Sequence, residues 1–121
     1  MSLGRVLIAD DGPRIREWLR DFLTSQGYEV AAVATGDQLL DSVTTFQPNV
    51  IVVDMVMPGF SGTEVLAALR RGGRTMPVIL ISGHEITVRE GFFGVLYKPF
   101  KLQRLADVVA AAMSHGRTMG A

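Results

Sequence analysis

Five short apolar runs, hardly interrupted by polar residues, limit most strongly what this chain can fold into. They are Val6-Leu7-Ile8-Ala9, Tyr28 to Val33, Val50-Ile51-Val52-Val53, Val78-Ile79-Leu80-Ile81 and Val95-Leu96-Tyr97. A strand with one wet face alternates apolar and polar residues, whereas a near-continuous run belongs to a strand covered on both faces, as in a parallel sheet. The stretches between the runs have helical period. From Pro13 to Gln26, the residues Ile15, Trp18, Leu19, Phe22 and Gln26 fall on one side, with Arg14, Arg16, Arg20 and Asp21 largely elsewhere. Pro13 suits a first turn and Gly27 an end. Asp37 to Phe46 carries Leu39, Leu40, Val43 and Phe46 at helical spacing and stops at Pro48. Thr63 to Arg71 ends at Gly72-Gly73. Leu102, Leu105, Val108, Val109 and Ala112 mark a last helix, with Gly116 onward expected as a frayed tail. Short strands separated by helices imply right-handed βαβ units, hence an α/β fold with a parallel sheet. The 121 residues amount to one domain, residues 1–121, with an ordered core over about 4–115.

Composition narrows the function. The chain has no cysteine, which removes disulfides and thiolate metal sites. Lys plus Arg and Asp plus Glu are both 12, so the formal net charge is zero and there is no overall basic footprint for nucleic acid. The apolar runs are too short for a membrane span, and Met1-Ser2-Leu3-Gly4-Arg5 lacks a signal-peptide core. The expectation is a cytoplasmic soluble domain that binds neither nucleic acid nor membrane.

Ligands of such a sheet bind outside the carboxyl ends of its strands. The first run is followed by Asp10 and Asp11, the third ends in Asp54, the fourth in Ser82 and the fifth in Lys98. Taken singly, an Asp at a strand end caps a helix or makes a turn, Ser-Gly is a turn, and Lys-Pro is a surface corner. Their convergence on one edge changes the reading. Crowded carboxylates repel one another and a divalent cation relieves them; oxygen ligands favour Mg²⁺ or Mn²⁺. Lys98 supplies a point charge for a phosphate, Ser82 a hydrogen bond to it, and a carboxylate beside a metal can attack phosphorus and form an acyl phosphate.

The segments Val6-Leu7-Ile8-Ala9-Asp10-Asp11, Val52-Val53-Asp54-Met55-Val56-Met57-Pro58-Gly59, Ile81-Ser82-Gly83 and Tyr97-Lys98-Pro99-Phe100 together resemble the response-regulator receiver family over essentially the whole chain. The resemblance implies a doubly wound, flavodoxin-like five-stranded sheet in the order 2-1-3-4-5. It implies Asp54 as phosphoacceptor, Asp11 as a direct metal ligand, Asp10 as a carboxylate acting mainly through metal-bound water, and the Val56 backbone carbonyl as a further ligand. Ser82 then follows the phosphoryl group, Lys98 pairs with it, and the Lys98-Pro99 bond is cis. The implied donor is a sensor histidine kinase or a histidine phosphotransfer protein. The implied output is a conformational change read by a partner or effector domain, in a signalling switch rather than an enzyme with a separate substrate.

The chain departs from the family pattern twice. The aromatic switch position, three residues before the lysine, holds Val95, while Tyr97 lies two positions on. The segment between Ser82 and Lys98 is short by roughly a turn and a half of helix. In it, Ile86 and Val88 are β-branched and two apart, which is no helical stripe, and Gly91 and Gly94 add backbone freedom. A stunted or irregular fourth helix is expected, with signalling by ordering of residues 83–92. His84 is read as a solvated loop residue, the run Arg70-Arg71-Gly72-Gly73-Arg74 as a helix end favourable to the dipole, and the methionines as packing. The alternative is a degenerate receiver serving as a phosphorylation-independent interaction module. A related phosphatase would want a second Asp where Val56 stands. A flavodoxin-like cofactor binder would want a hydroxyl- and glycine-rich loop where Asp10-Asp11 would repel phosphate.

Overall fold

The computed structural model describes residues 2–87 and 89–119, with side chains up to 115. Its elements are β1 (Arg5–Ala9), α1 (Pro13–Ser25), β2 (Glu29–Val33), α2 (Gly36–Phe46), β3 (Val50–Asp54), α3 (Gly62–Arg71), β4 (Val78–Ser82), β5 (Gly94–Tyr97) and α4 (Leu102–Met119). The strands form one parallel sheet in the order β2-β1-β3-β4-β5, the doubly wound arrangement expected.

The apolar runs divide between two cores by the two-residue period of a strand. Val6, Ile8, Val50, Val52, Ile79, Ile81 and Leu96 face Leu19 and Leu23 of α1 and Leu105, Val109 and Ala112 of α4. Leu7, Ala9, Ile51, Val53, Val78 and Leu80 face Leu39 and Val43 of α2 and Val65, Leu66 and Leu69 of α3. Both faces of the inner strands are therefore covered, which is why their sequences are not alternating.

Local signals fix the helix ends. Pro13 opens α1 after Gly12. Thr35 caps α2 through its side chain, which accepts from the Gln38 amide. Ser61 and Glu64 close a reciprocal capping box on α3, so this helix starts before Thr63; the Ser-x-x-Glu signature was present to be read. Two other expectations are corrected. Trp18, placed on the buried stripe of α1, is 46% exposed and leans on Phe100, with centroids 6.5 Å apart, because Leu19 and Leu23 already fill the space under the helix. The last helix continues through Gly116 to Met119, carried past the glycine by the alanine-rich turns before it. Residues 120 and 121 of the expected tail lie outside the described residues.

The segment between β4 and β5 contains no helix among its described residues, only a turn in which the Phe92 amide donates to the Arg89 carbonyl. This goes further than the stunted helix expected. Of the residues behind that expectation, Val88 lies outside the described ones. Among the described residues no helix is long and apolar enough to cross a membrane.

Gly62 opens α3 directly under the sheet's carboxyl edge. A Cβ there would meet Leu80 Cδ1 at 2.6 Å and the Asp54 carbonyl oxygen at 3.0 Å. Gly62→Ala should therefore destabilise the protein by about 1–3 kcal/mol through overpacking, against a helix-propensity gain of at most ~1 kcal/mol. Urea unfolding checks this; an unchanged or higher midpoint would show that β3 and α3 separate without cost.

Candidate functional site

Every chemistry-bearing residue singled out in the sequence lies at the carboxyl edge of the sheet, and the fold explains why. β1 and β3 are adjacent and in register, Ala9 beside Val53, so Asp10 and Asp54 emerge side by side. β4 and β5 pair Ser82 with Tyr97, which sets Lys98 next to Ser82; the Lys98 amide donates to the Ser82 carbonyl at 2.7 Å. The Lys98-Pro99 bond is cis, as the resemblance implied.

One carboxylate oxygen from each of Asp10, Asp11 and Asp54 lies within 4.8 Å of the others. Asp10 and Asp54 are 1% and 7% exposed, while Asp11 faces solvent. Lys98 Nζ stands 3.5 Å from both Asp10 Oδ2 and Asp54 Oδ2. Three carboxylates thus share one close ammonium. Burial, then the Asp10 charge, push the Asp54 carboxyl above its ordinary value; Lys98 and the Val56 backbone amide pull it down, and Asp11 pushes it up again.

Asp10 is held by its surroundings. Its Oδ1 accepts from the Gly12 amide at 2.9 Å, and Arg16 Nη1 donates to its backbone carbonyl at 2.9 Å. Its Oδ2 is buried and accepts no hydrogen bond. A buried, unsatisfied carboxylate oxygen facing two further carboxylates fits a hard divalent cation. The sequence reading placed Arg16 largely off the apolar side of its helix and gave neither it nor Gly12 a role at the site. The signal for Gly12 was the Asp-x-Gly spacing, in which an Asp side chain accepts from the backbone two residues on.

Ser82 is 2% exposed, and its hydroxyl is engaged locally. Oγ donates to the His84 carbonyl at 2.7 Å and accepts from the His84 amide at 3.1 Å. His84 itself is exposed, consistent with a loop role for its ring. The Val56 side chain is 64% exposed beside the cluster. Val95 packs at the margin of the core against α2 and α3, while Tyr97 is 38% exposed, so neither position buries an aromatic ring next to Ser82.

The arrangement can bind a hard cation, present a carboxylate nucleophile and meet an oxyanion with an ammonium. Comparison with known proteins identifies the family. Residues 6–110 match the family model described as the response regulator receiver domain. The DNA-binding transcriptional regulator NtrC of Klebsiella pneumoniae is 31% identical over 121 residues, covering 95% of this chain and 26% of that protein. Response regulator MprA of Mycolicibacterium vanbaalenii is 33% identical over 108 residues, covering 84% of this chain and 46% of that protein. The chain thus spans less than half the length of these two relatives. A crystal structure of a response regulator receiver domain protein from Clostridium thermocellum superposes with a TM-score of 0.88 at 26% identity, covering 96% of this chain and 98% of that one. The chain belongs to the response regulator receiver domain family of bacterial two-component systems.

Proposed function

We propose that this receiver domain works in the cytoplasm as a phosphorylation switch, taking a phosphoryl group onto Asp54 from a sensor histidine kinase or a histidine phosphotransfer protein. The observation that carries the reading is Lys98 Nζ placed 3.5 Å from Asp54 Oδ2 and from Asp10 Oδ2, with Asp11 completing the acid cluster. A bare structural corner has no use for that crowding. Asp10, Asp11, Asp54 and the Val56 backbone carbonyl are the groups that would hold Mg²⁺ or Mn²⁺. When bound, such a cation supplies positive charge against the carboxylates and the incoming phosphoryl oxygens.

An Asp54 carboxylate oxygen attacks phosphorus; the O–P bond forms as the donor's N–P bond breaks, and the released imidazole keeps the electron pair and takes a proton from solvent. Lys98 pairs with the new phosphoryl oxygens, and Ser82 donates to one of them after releasing the His84 carbonyl. Water later hydrolyses the acyl phosphate. Val56 offers no polar side chain to orient that water. There is no separate substrate, so the domain is a switch and not an enzyme acting on others. The output passes to an effector domain or partner protein. The complete set of acidic, hydroxyl and lysine groups weighs against a degenerate interaction module.

Acetyl phosphate with Mg²⁺ should add one phosphoryl group to the wild type and none to Asp54→Ala, read by intact mass, and hydroxylamine should remove it. Modification of Asp54→Ala, or none of the wild type, rejects the assignment.

The raised Asp54 pKa makes a second outcome specific. The folded state holds this proton more tightly than the unfolded chain, whose carboxyl titrates near 3.8. Stability from this group is therefore greatest in acid, falls as pH rises through the folded pKa, and is fully lost above it. Without divalent metal at neutral pH, Asp54→Asn should unfold at a higher urea concentration than wild type, with the difference vanishing towards acid. A variant less stable than wild type would show that attraction to Lys98 outweighs burial and crowding.

Signal transmission generates a third. Ser82 cannot turn inward without freeing the His84 backbone, so beryllofluoride with Mg²⁺ should change amide hydrogen exchange across residues 83–92. Protection should rise there and change little in α2 and α3. Unaltered exchange in that segment would place the output elsewhere.

A further inference from the structure

The amino edge of the sheet, opposite the carboxylates, carries a cleft of about 1020 Å³. It opens among the residues leading into the strands, such as Asn49 before β3, Thr75 and Met76 before β4, and Phe92 and Phe93 before β5, and is closed on its sides by the end of α3 and by Met113 and His115 of α4. A five-residue strand is roughly 17 Å long, so this space is separate from the acid cluster.

The bare segment between β4 and β5 shapes it. Gly91, at φ +89°, turns where a side chain would sit 3.0 Å from Leu66 Cδ2. The chain then runs into β5 with the Phe93 amide donating to the Val78 carbonyl at 2.8 Å. Both phenylalanines are thereby brought to the cleft, and Phe93 packs against the His115 ring with centroids 5.3 Å apart.

Charge is one-sided here. Arg70 and Arg74 line the cleft, and among the described residues no acidic one does. Arg70 Nη1 donates to the Arg74 carbonyl at 3.0 Å, and Arg74 Nη2 donates to Thr44 Oγ1 at 2.9 Å. Both acceptors are neutral. Among the described residues neither guanidinium pairs with a carboxylate, and each keeps N–H donors to spare. Besides closing the end of α3, the two arginines thus bring spare N–H donors to a cleft whose walls are part polar and part aromatic.

We infer that this cleft is a binding site for a small amphipathic anion, an aromatic or similarly flat apolar body bearing a sulfonate, carboxylate or phosphate. The apolar body lies against Phe92, Phe93, Met76 and Met113, and the acid group faces Arg70 and Arg74, whose planar forks match such oxyanions. The size suits a ligand of this kind, and the mixture of apolar walls with a few convergent polar groups is that of small-molecule sites in general. The site does not depend on phosphorylation of Asp54.

Anilinonaphthalene sulfonate serves as the probe, titrated into the full chain and followed by amide shifts, with methanesulfonate as the charge-only control. Saturable shifts should centre on residues 70–76, 91–93 and 113–115, leave the carboxyl edge still, and persist in Asp54→Asn. The paired change Arg70→Gln/Arg74→Gln should weaken binding about tenfold or more, a loss of ~1.4 kcal/mol. Thr75→Trp, which adds bulk at an exposed lining position with both arginines intact, should weaken it as well; the unchanged amide spectrum elsewhere verifies that each variant is folded. Three outcomes overturn the inference. They are scattered non-saturable shifts, equal binding of methanesulfonate, and wild-type affinity in the arginine variant.

Discussion

Like charges crowded at one edge of a sheet are the constraint around which this molecule is arranged. Asp10 and Asp54 are both buried, and they are neighbours because β1 and β3 run in register. Burial without pairing costs a charged carboxylate several kcal/mol on the scale of protein interiors, and Lys98 alone, 3.5 Å from each, cannot offset three acids. The rest of the edge is built to tolerate the strain. Gly12 and Arg16 hold Asp10 by its side chain and backbone, and the Val56 amide faces Asp54. The fold carries at this edge a standing demand for positive charge, which a cation or a change of protonation answers.

The same sheet shows which parts of a structure a sequence discloses. Core strands were legible because burial on both faces leaves an unbroken apolar run, as in Val50-Ile51-Val52-Val53. The acid, hydroxyl and lysine positions were legible because each directly ends or follows such a run, and topology then places them together. Trp18 was misread because periodicity assigns a side of a helix but not how much of that side the neighbours leave open. The grip of Arg16 on the Asp10 carbonyl was invisible because it depends on how α1 leaves the edge, a tertiary property. Helix starts at Gly36 and Gly62 were each placed one residue late, since capping residues set them and apolar spacing does not.

The absence of a helix among the described residues between β4 and β5 is the point where the chain departs most from the architecture its own strands announce. Ile86 and Phe92 still pack at the margin of the core under α3, so the segment is laid against the domain without the regular hydrogen bonds of a helix. Elements with few internal bonds open most readily. The carboxyl edge and the amino edge therefore share one soft connection, running from Ser82 and His84 at one end to Phe92 and Phe93 at the other.

That connection is bracketed by two backbone bonds: Phe93 amide to Val78 carbonyl on one side, and Lys98 amide to Ser82 carbonyl on the other. They flank the β4–β5 ladder at its two ends, so the positions of the hydroxyl-bearing and ammonium-bearing residues are set by strand pairing and owe nothing to the length of chain between them. Residues can be lost or gained in the intervening arc at only a slowly rising entropic cost, with the hydroxyl and the ammonium left where they were. The domain can in this way vary what it displays to others while holding its chemistry constant.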